Sequence, residues 1–80
     1  MPNHFKALFN RGFAYDKISQ FEKAIEDYSK AIEIDPNNAY TYYNKGISLD
    51  RKGDYDSAIS CFTKAIDIKS IKADFYRNIG

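Results

Sequence analysis

The sequence predicts an all-α protein built from helix–turn–helix repeats. The chain repeats itself at a spacing of 34 residues, and each unit contains two stretches whose apolar residues recur at helical intervals. Shifting the chain by 34 residues leaves fifteen of 45 aligned pairs identical, including Gly12 with Gly46 and Ala31 with Ala65. Turn-forming or helix-breaking residues stand between several of the stretches. These observations predict stacked helical hairpins.

The first unit is predicted to hold two helices, over residues 5–17 and 21–34, joined by a turn at residues 18–20. The apolar spacing of the first helix comes from Phe5, Leu8, Phe9 and Phe13. The stripe of the second consists of Ala24, Ile25, Tyr28, Ala31 and Ile32, a pattern typical of an amphipathic helix.

The second unit begins after a clear break. Pro36 pushes the residue before it out of helical conformation, and Asn38 is suited to cap the next helix, which we expect over residues 39–51. A turn at Gly53 leads to a fourth helix from Tyr55 to about residue 68, and a fifth is expected from about residue 72.

The small residues predict close helix packing. Gly12 and Gly46 allow the second helix of each pair to approach the first, while Tyr28 and Phe62 fill the space between the helices. Four alanines play the same part on the second helices: Ala24, Ala31, Ala58 and Ala65.

Length and charge exclude several classes of protein. Eighty residues with a net charge of +1 lack the basic excess that nucleic acids or anionic membranes attract, and no apolar run reaches the roughly 20 residues of a membrane helix. Cys61 is the sole cysteine, so no internal disulfide forms, and no N-x-S/T sequon is present. We therefore expect an intracellular, cytoplasmic setting with no nucleic-acid or membrane partner.

The repeated pattern resembles the tetratricopeptide repeat (TPR), a 34-residue helix–turn–helix unit. The first unit carries Leu8, Gly12, Tyr15, Ala24, Tyr28, Ala31 and Pro36. The second carries Tyr42, Gly46, Leu49, Gly53, Tyr55, Ala58, Phe62 and Ala65. The resemblance implies a short right-handed α-solenoid, a TPR-like superhelix. It also implies a single TPR domain or fragment over residues 1–80: repeat 1 at 5–38, repeat 2 at 39–72 and the first-helix stub of a third at 73–80.

Three positions depart from the family pattern. Arg11 and Lys45 stand where leucine is common, and Ser70 stands where the second unit should have its closing proline. Because residues 68–73 contain neither proline nor glycine, the fourth and fifth helices have the alternative of fusing, which would favour domain swapping.

The phase of the repeat suggests a piece of a longer array. Pro2 matches the end of a unit, and Gly80 falls inside a helix of the third. We therefore expect a fragment with uncapped ends that favour self-association. The alternative is a short natural protein whose final helix serves as a cap.

No residue pattern indicates catalysis. His4 is the only histidine and precedes the first helix, Cys61 is expected to be buried, and no phosphate-binding glycine loop is present. Four carboxylates of the second helix are expected to form a solvated face, in which Glu26 pairs with Lys30. They are Glu22, Glu26, Asp27 and Glu33. We expect no enzyme activity, no cofactor and no metal.

The resemblance implies that the first helices line a concave groove for a peptide or a partner helix. The groove positions of the first unit are Lys6, Phe9, Asn10, Phe13 and Lys17. Those of the second are Tyr40, Tyr43, Asn44, Ile47 and Arg51, and the third adds Asp74, Arg77 and Asn78. The large rings are interpreted as anchors for apolar side chains. The alternative is that some of them pack against a neighbouring helix.

Asparagine recurs two residues before each repeat glycine, at Asn10, Asn44 and Asn78. An amide can both donate to and accept from a peptide backbone. The arrangement resembles the asparagine ladder of the repeat domain of the O-linked N-acetylglucosamine transferase. The alternative is that these amides tie adjacent helices together or bind water.

The family's carboxylate clamp for chaperone tails is not reproduced. Of its five positions, held here by Phe9, Phe13, Asn44, Asp74 and Asn78, only Asn44 agrees with the clamp. We therefore expect no binding of the EEVD-type chaperone tail. The predicted function is non-catalytic protein binding in the groove of a longer TPR array. The alternative is a structural, self-associating segment that binds partners elsewhere in the parent protein.

Overall fold

A computed structural model describes the backbone of residues 4–79 and the side chains of residues 4–72. It consists of four helices: α1 His4–Lys17, α2 Phe21–Ile34, α3 Ala39–Lys52 and α4 Tyr55–Ile79. Helices α1 and α2 form one antiparallel hairpin, and α3 and α4 form the second. Helix α3 also packs on α2 and touches α1, so it joins the two hairpins. None of the described helices combines the length and apolar character that crossing a membrane requires.

The breaks between the first three helices follow from local chemistry. Ser19 adopts a φ of 64° in the turn between α1 and α2, which lets the chain reverse. The side-chain oxygen of Asn38 accepts the backbone N–H of Thr41 at 3.1 Å and caps α3, as predicted. Gly53 ends α3 with a φ of 100°, a left-handed conformation that glycine adopts without a steric penalty.

Each hairpin is closed by contact between a glycine and an aromatic ring. A Cβ atom on Gly12 would lie 3.0 Å from the ring of Tyr28, and one on Gly46 would lie 2.6 Å from the ring of Phe62. The four predicted alanines of α2 and α4 are all buried. The prediction that small residues set the distance between the helices of each hairpin is therefore confirmed.

The prediction of a separate fifth helix is wrong. Helix α4 runs without a break from Tyr55 to Ile79, so the alternative of fusion across Ser70 is the one observed. The first connection has Pro36 to stop α2 and Asn38 to cap α3, whereas the matching positions are Ser70 and Lys72. Neither of these residues forbids a helix, and a lysine lacks the oxygen that caps one.

Two buried hydroxyl groups differ in how they are satisfied. The Ser48 hydroxyl donates to Asp16 Oδ1 at 2.8 Å. Thr41 is also fully buried, but its Oγ1 has no hydrogen-bond partner among the residues that the structure describes. An unsatisfied hydroxyl in the interior costs stability, because water hydrates that group in the unfolded chain.

The substitution Gly46→Ala should lower the free energy of unfolding by about 1–2 kcal/mol, because overpacking against Phe62 outweighs the higher helix propensity of alanine. Gly12→Ala should cost less, since its Cβ has more room beside Tyr28. Urea unfolding followed by circular dichroism measures both changes. Equal costs, or a more stable Gly46→Ala variant, would contradict the proposed role of this contact.

The substitution Thr41→Val should raise the free energy of unfolding by about 1 kcal/mol, because it removes a buried hydroxyl that has no partner in the described part of the chain. Ser48→Ala serves as the matched control and should lower it by about 1–2 kcal/mol, since Asp16 loses a donor. Thermal unfolding of the two variants beside the parent chain distinguishes these opposite signs.

Candidate functional site

The predicted groove residues of the first unit lie along one face of α1. Within this set, Lys6, Asn10, Phe13 and Lys17 are exposed and Phe9 is half-buried. The buried residues of α1, Gly12 and Asp16, lie three and seven residues after Phe9, on the edge of this face where Phe9 is half-buried. The spacing of three, four or seven residues that places such side chains on one face therefore operates here.

The same pattern recurs on α3, which lies against α1. Tyr40, Tyr43 and Arg51 are exposed, while Asn44 and Ile47 are half-buried. Asp74, Arg77 and Asn78 belong to the helical backbone of α4, but their side chains lie outside the part of the chain that the structure describes. The described candidate surface, here called the α1–α3 face, therefore consists of the ten groove residues of the first two units.

Two of the predicted aromatic anchors also serve the fold. The Phe9 ring meets the ring of Tyr28 edge-on at a centroid distance of 5.7 Å, and Tyr43 meets Phe62 at 5.6 Å. Tyr28 and Phe62 are also the rings that contact Gly12 and Gly46. The alternative that some anchors pack against a neighbouring helix therefore holds for Phe9 and Tyr43.

The other two anchors, Phe13 and Tyr40, are 46% and 71% exposed, and Tyr43 is 52% exposed despite its contact with Phe62. The ammonium group of Lys17 lies 4.9 Å from the centroid of the Phe13 ring, a distance at which the ring quadrupole attracts a cation. Phe13, Tyr40 and Tyr43 are therefore the exposed aromatic residues of this face in the described part of the chain.

The amides of Asn10 and Asn44 make no hydrogen bond or ion pair with any other part of the chain that the structure describes. Asn10 is exposed and Asn44 is half-buried. Each amide offers two N–H donors and a carbonyl acceptor. The alternative in which these two amides tie adjacent helices together receives no support from their contacts.

Arg51 has a structural role that its position on the α1–α3 face did not reveal. Its Nη1 donates to Asp16 Oδ2 at 2.7 Å, and its guanidinium lies 5.0 Å from the centroid of the Phe21 ring. Asp16 is buried and also accepts the Ser48 hydroxyl. Arg51 therefore connects α3 to both helices of the first hairpin.

The expectation that Asp27 belongs to a solvated face is wrong, because this residue is only 1% exposed. Both of its carboxylate oxygens accept from Arg11, at 2.8 and 2.9 Å. The hydrogen bond and the charge of Asp27 raise the pKa of the Arg11 guanidinium above its ordinary value. The predicted Glu26–Lys30 pair is present at 3.6 Å on the exposed side of α2.

Comparison of the two repeats indicates that Arg11 and Asp27 form a pair. In the second unit the matching residues are Lys45 and Cys61, so both members change together.

Burial raises the pKa of the Cys61 thiol, which keeps it protonated and a poor nucleophile. Within the part of the chain that the structure describes, no three His, Cys, Asp or Glu side chains cluster in a way that could hold a metal ion.

An open cleft of about 850 Å³ lies between the start of α3 and the middle of α4. Its apolar walls come from both helices, and two of its residues, Tyr40 and Tyr43, also belong to the α1–α3 face. The lining residues are Asn38, Ala39, Tyr40, Tyr43, Phe62, Ala65, Ile66, Lys69 and Lys72. The sequence did not reveal this cleft, because its shape depends on the direction in which α4 continues.

Comparison with protein families gives two matches, both to the tetratricopeptide repeat. One match covers residues 5–38 and the other covers residues 27–60. The second begins within α2 and ends within α4. Together the two matches extend from the first turn of α1 into the second hairpin.

Similar proteins include FK506-binding protein-like of Mus musculus, 43% identical over 37 residues, and of Homo sapiens, 46% identical over 37 residues. Each alignment covers 46% of this chain and 11% of the relative. Two crystal structures of MamA superpose with TM-scores of 0.84 and 0.81 at 34% identity. They match 88% and 89% of this chain, which covers 41% and 39% of theirs. The chain thus spans less than half of each protein it resembles.

The substitution Arg51→Ala should lower the free energy of unfolding by about 2 kcal/mol, because it leaves the buried Asp16 carboxylate without its cation. Lys17 is the matched control, since it occupies the same repeat position on α1 and is exposed. Lys17→Ala should change stability by less than about 0.5 kcal/mol. Equal effects in chemical unfolding would show that the Arg51–Asp16 pair contributes nothing.

Proposed function

The chain belongs to the tetratricopeptide repeat family, whose repeats generally mediate protein–protein interaction, and we propose that it binds an extended peptide on its α1–α3 face. The amides of Asn10 and Asn44, which have no partner within the described residues, are the observation that carries this proposal. They occupy equivalent positions on two helices that touch, with Phe13 and Tyr40 on the same face.

The chemistry of the amides favours an extended peptide over a partner helix. A helix already satisfies its backbone N–H and C=O groups internally, except at its ends, so it offers little to an amide side chain. An extended strand leaves these groups free to pair. Neighbouring packed helices lie about 10 Å apart, so the two amides would meet backbone groups about three residues apart in an extended peptide.

The side chains around the amides suggest which peptide would bind. The exposed rings of Phe13 and Tyr40 favour apolar side chains. Lys17 adds a positive charge beside Phe13, whereas the charge of Arg51 is balanced by Asp16. A peptide with apolar residues and an acidic residue near Lys17 is the expected ligand.

Selection from a random-peptide display library provides the test. We expect a shared motif among the retained peptides, and the double variant Asn10→Ala/Asn44→Ala should bind the selected peptide about 30-fold more weakly. This figure corresponds to about 2 kcal/mol, the sum of two lost hydrogen bonds of about 1 kcal/mol each. Isothermal titration calorimetry of the parent and the variant measures the change.

The control variant is Asn37→Ala, which removes an exposed amide from the loop between α2 and α3. It should leave peptide affinity unchanged. Alanine favours helix more than asparagine does, so unfolding would not explain weaker binding by the double variant. If no motif is enriched, or the double variant binds as tightly as the parent, the α1–α3 face is not a peptide-binding groove.

A further inference from the structure

The open cleft between α3 and α4 is an exposed surface of the second hairpin. In the first hairpin the equivalent surface is covered by a helix. There α3 packs on α2, where Ile32 is half-buried. The matching residue of α4, Ile66, lines the cleft and is 64% exposed. Within the residues that the structure describes, the second hairpin therefore presents the same kind of helix-binding surface without a helix on it.

The chain contains a segment whose sequence suits this surface. Residues 39–46 begin the helix that covers α2, and residues 73–80 repeat them with identity at four of eight positions. The identical pairs are Ala39 with Ala73, Tyr42 with Tyr76, Asn44 with Asn78 and Gly46 with Gly80. By repeat symmetry, this segment is the natural partner of α4.

The segment cannot reach the cleft of its own chain. Helix α3 reaches α2 because the chain reverses at residues 35–38, between Ile34 and Ala39. Helix α4 has no such reversal, since it remains helical through Ile79. A straight helix does not fold back on itself, so the backbone of residues 71–79 continues away from the surface it matches.

We propose that two copies of this chain exchange the ends of α4, each placing residues 71–79 in the α3–α4 cleft of the other. In the first unit the chain reverses between residues 36 and 37. The matching position in the second unit, 34 residues later, lies between Ser70 and Ile71. A two-fold axis near that point pairs the two α4 helices antiparallel. Both clefts are then filled by the same contact.

This self-association goes beyond the proposed peptide binding and is tested separately from it. Tyr40 and Tyr43 line the cleft and also belong to the α1–α3 face, whereas Asn10 does not line the cleft. Exchange of the α4 ends therefore covers one end of the peptide surface. The variants that test this exchange leave both amides in place.

Sedimentation equilibrium of the 80-residue chain provides the first test. The mass should rise from 9.2 kDa toward twice that value as the concentration increases from about 1 μM to about 1 mM, a range that covers weak and moderate dimers. A mass of 9.2 kDa throughout would overturn the proposal.

Two variants of α4 locate the contact. Ile66→Lys places a charge in the cleft and should abolish the mass increase, while the exposed position of Ile66 keeps the single chain folded. Ile59→Lys is the matched control, because Ile59 is equally exposed on the same helix but does not line the cleft. It should associate as the parent does, and equal behaviour of the two variants would overturn the proposal.

The exchanged segment is tested by its own pair of variants. Phe75 matches the fully buried Thr41, and Asp74 matches the exposed Tyr40. Phe75→Lys should therefore lower the association constant at least tenfold, whereas Asp74→Lys should change it little. An unchanged association constant for Phe75→Lys would show that the dimer does not use this segment.

The substitution Ser70→Pro tests the role of the straight helix. Proline at this position restores the residue that ends α2 in the first unit and is incompatible with a helix interior. The segment after it should then fold back into the cleft of its own chain, giving 9.2 kDa at every concentration. Dimerisation of this variant with the parent's affinity would contradict an exchange that depends on a continuous α4.

Discussion

The contact between a repeat glycine and an aromatic ring is the constraint on which the rest of the structure depends. Gly12 against Tyr28 and Gly46 against Phe62 set the distance between the two helices of each hairpin. The same two rings support Phe9 and Tyr43, which face the candidate binding surface. Interior packing and the shape of the α1–α3 face therefore depend on the same contacts. A substitution that shifts Tyr28 or Phe62 would also shift Phe9 or Tyr43.

Local signals were sufficient to predict the first three helices. The proline at Pro36, the cap at Asn38 and the glycine at Gly53 act over a few residues, and the helix ends lie where these residues place them. The course of α4 was different, because a stretch without a break is compatible with either a turn or a continued helix. The outcome depends on the balance between unbroken helical hydrogen bonds and the packing gained by folding back, which no local pattern specifies.

The sequence identified residues that lie on the α1–α3 face but not which of them the fold itself uses. Phe9, Tyr43 and Arg51 all contact residues outside their own helix, and these contacts join positions far apart in the chain. The burial of Asp27 was missed for the same reason, since its partner Arg11 lies sixteen residues away. Asn10 and Asn44 differ from these residues, because their amides have no partner within the described part of the chain.

The two units have similar interior packing, but the chain turns after α2 and continues as a helix through α4. This continuous course of α4 is the central structural difference between the units. It is tested most directly by backbone carbon chemical shifts for residues 68–74, measured by nuclear magnetic resonance on dilute protein. Helical shifts without interruption from Ile68 through Ser70 and Lys72 are predicted. Turn-like shifts at Ser70 and Ile71, between two separate helical stretches, would contradict it and would mean that a fifth helix folds back to close the cleft.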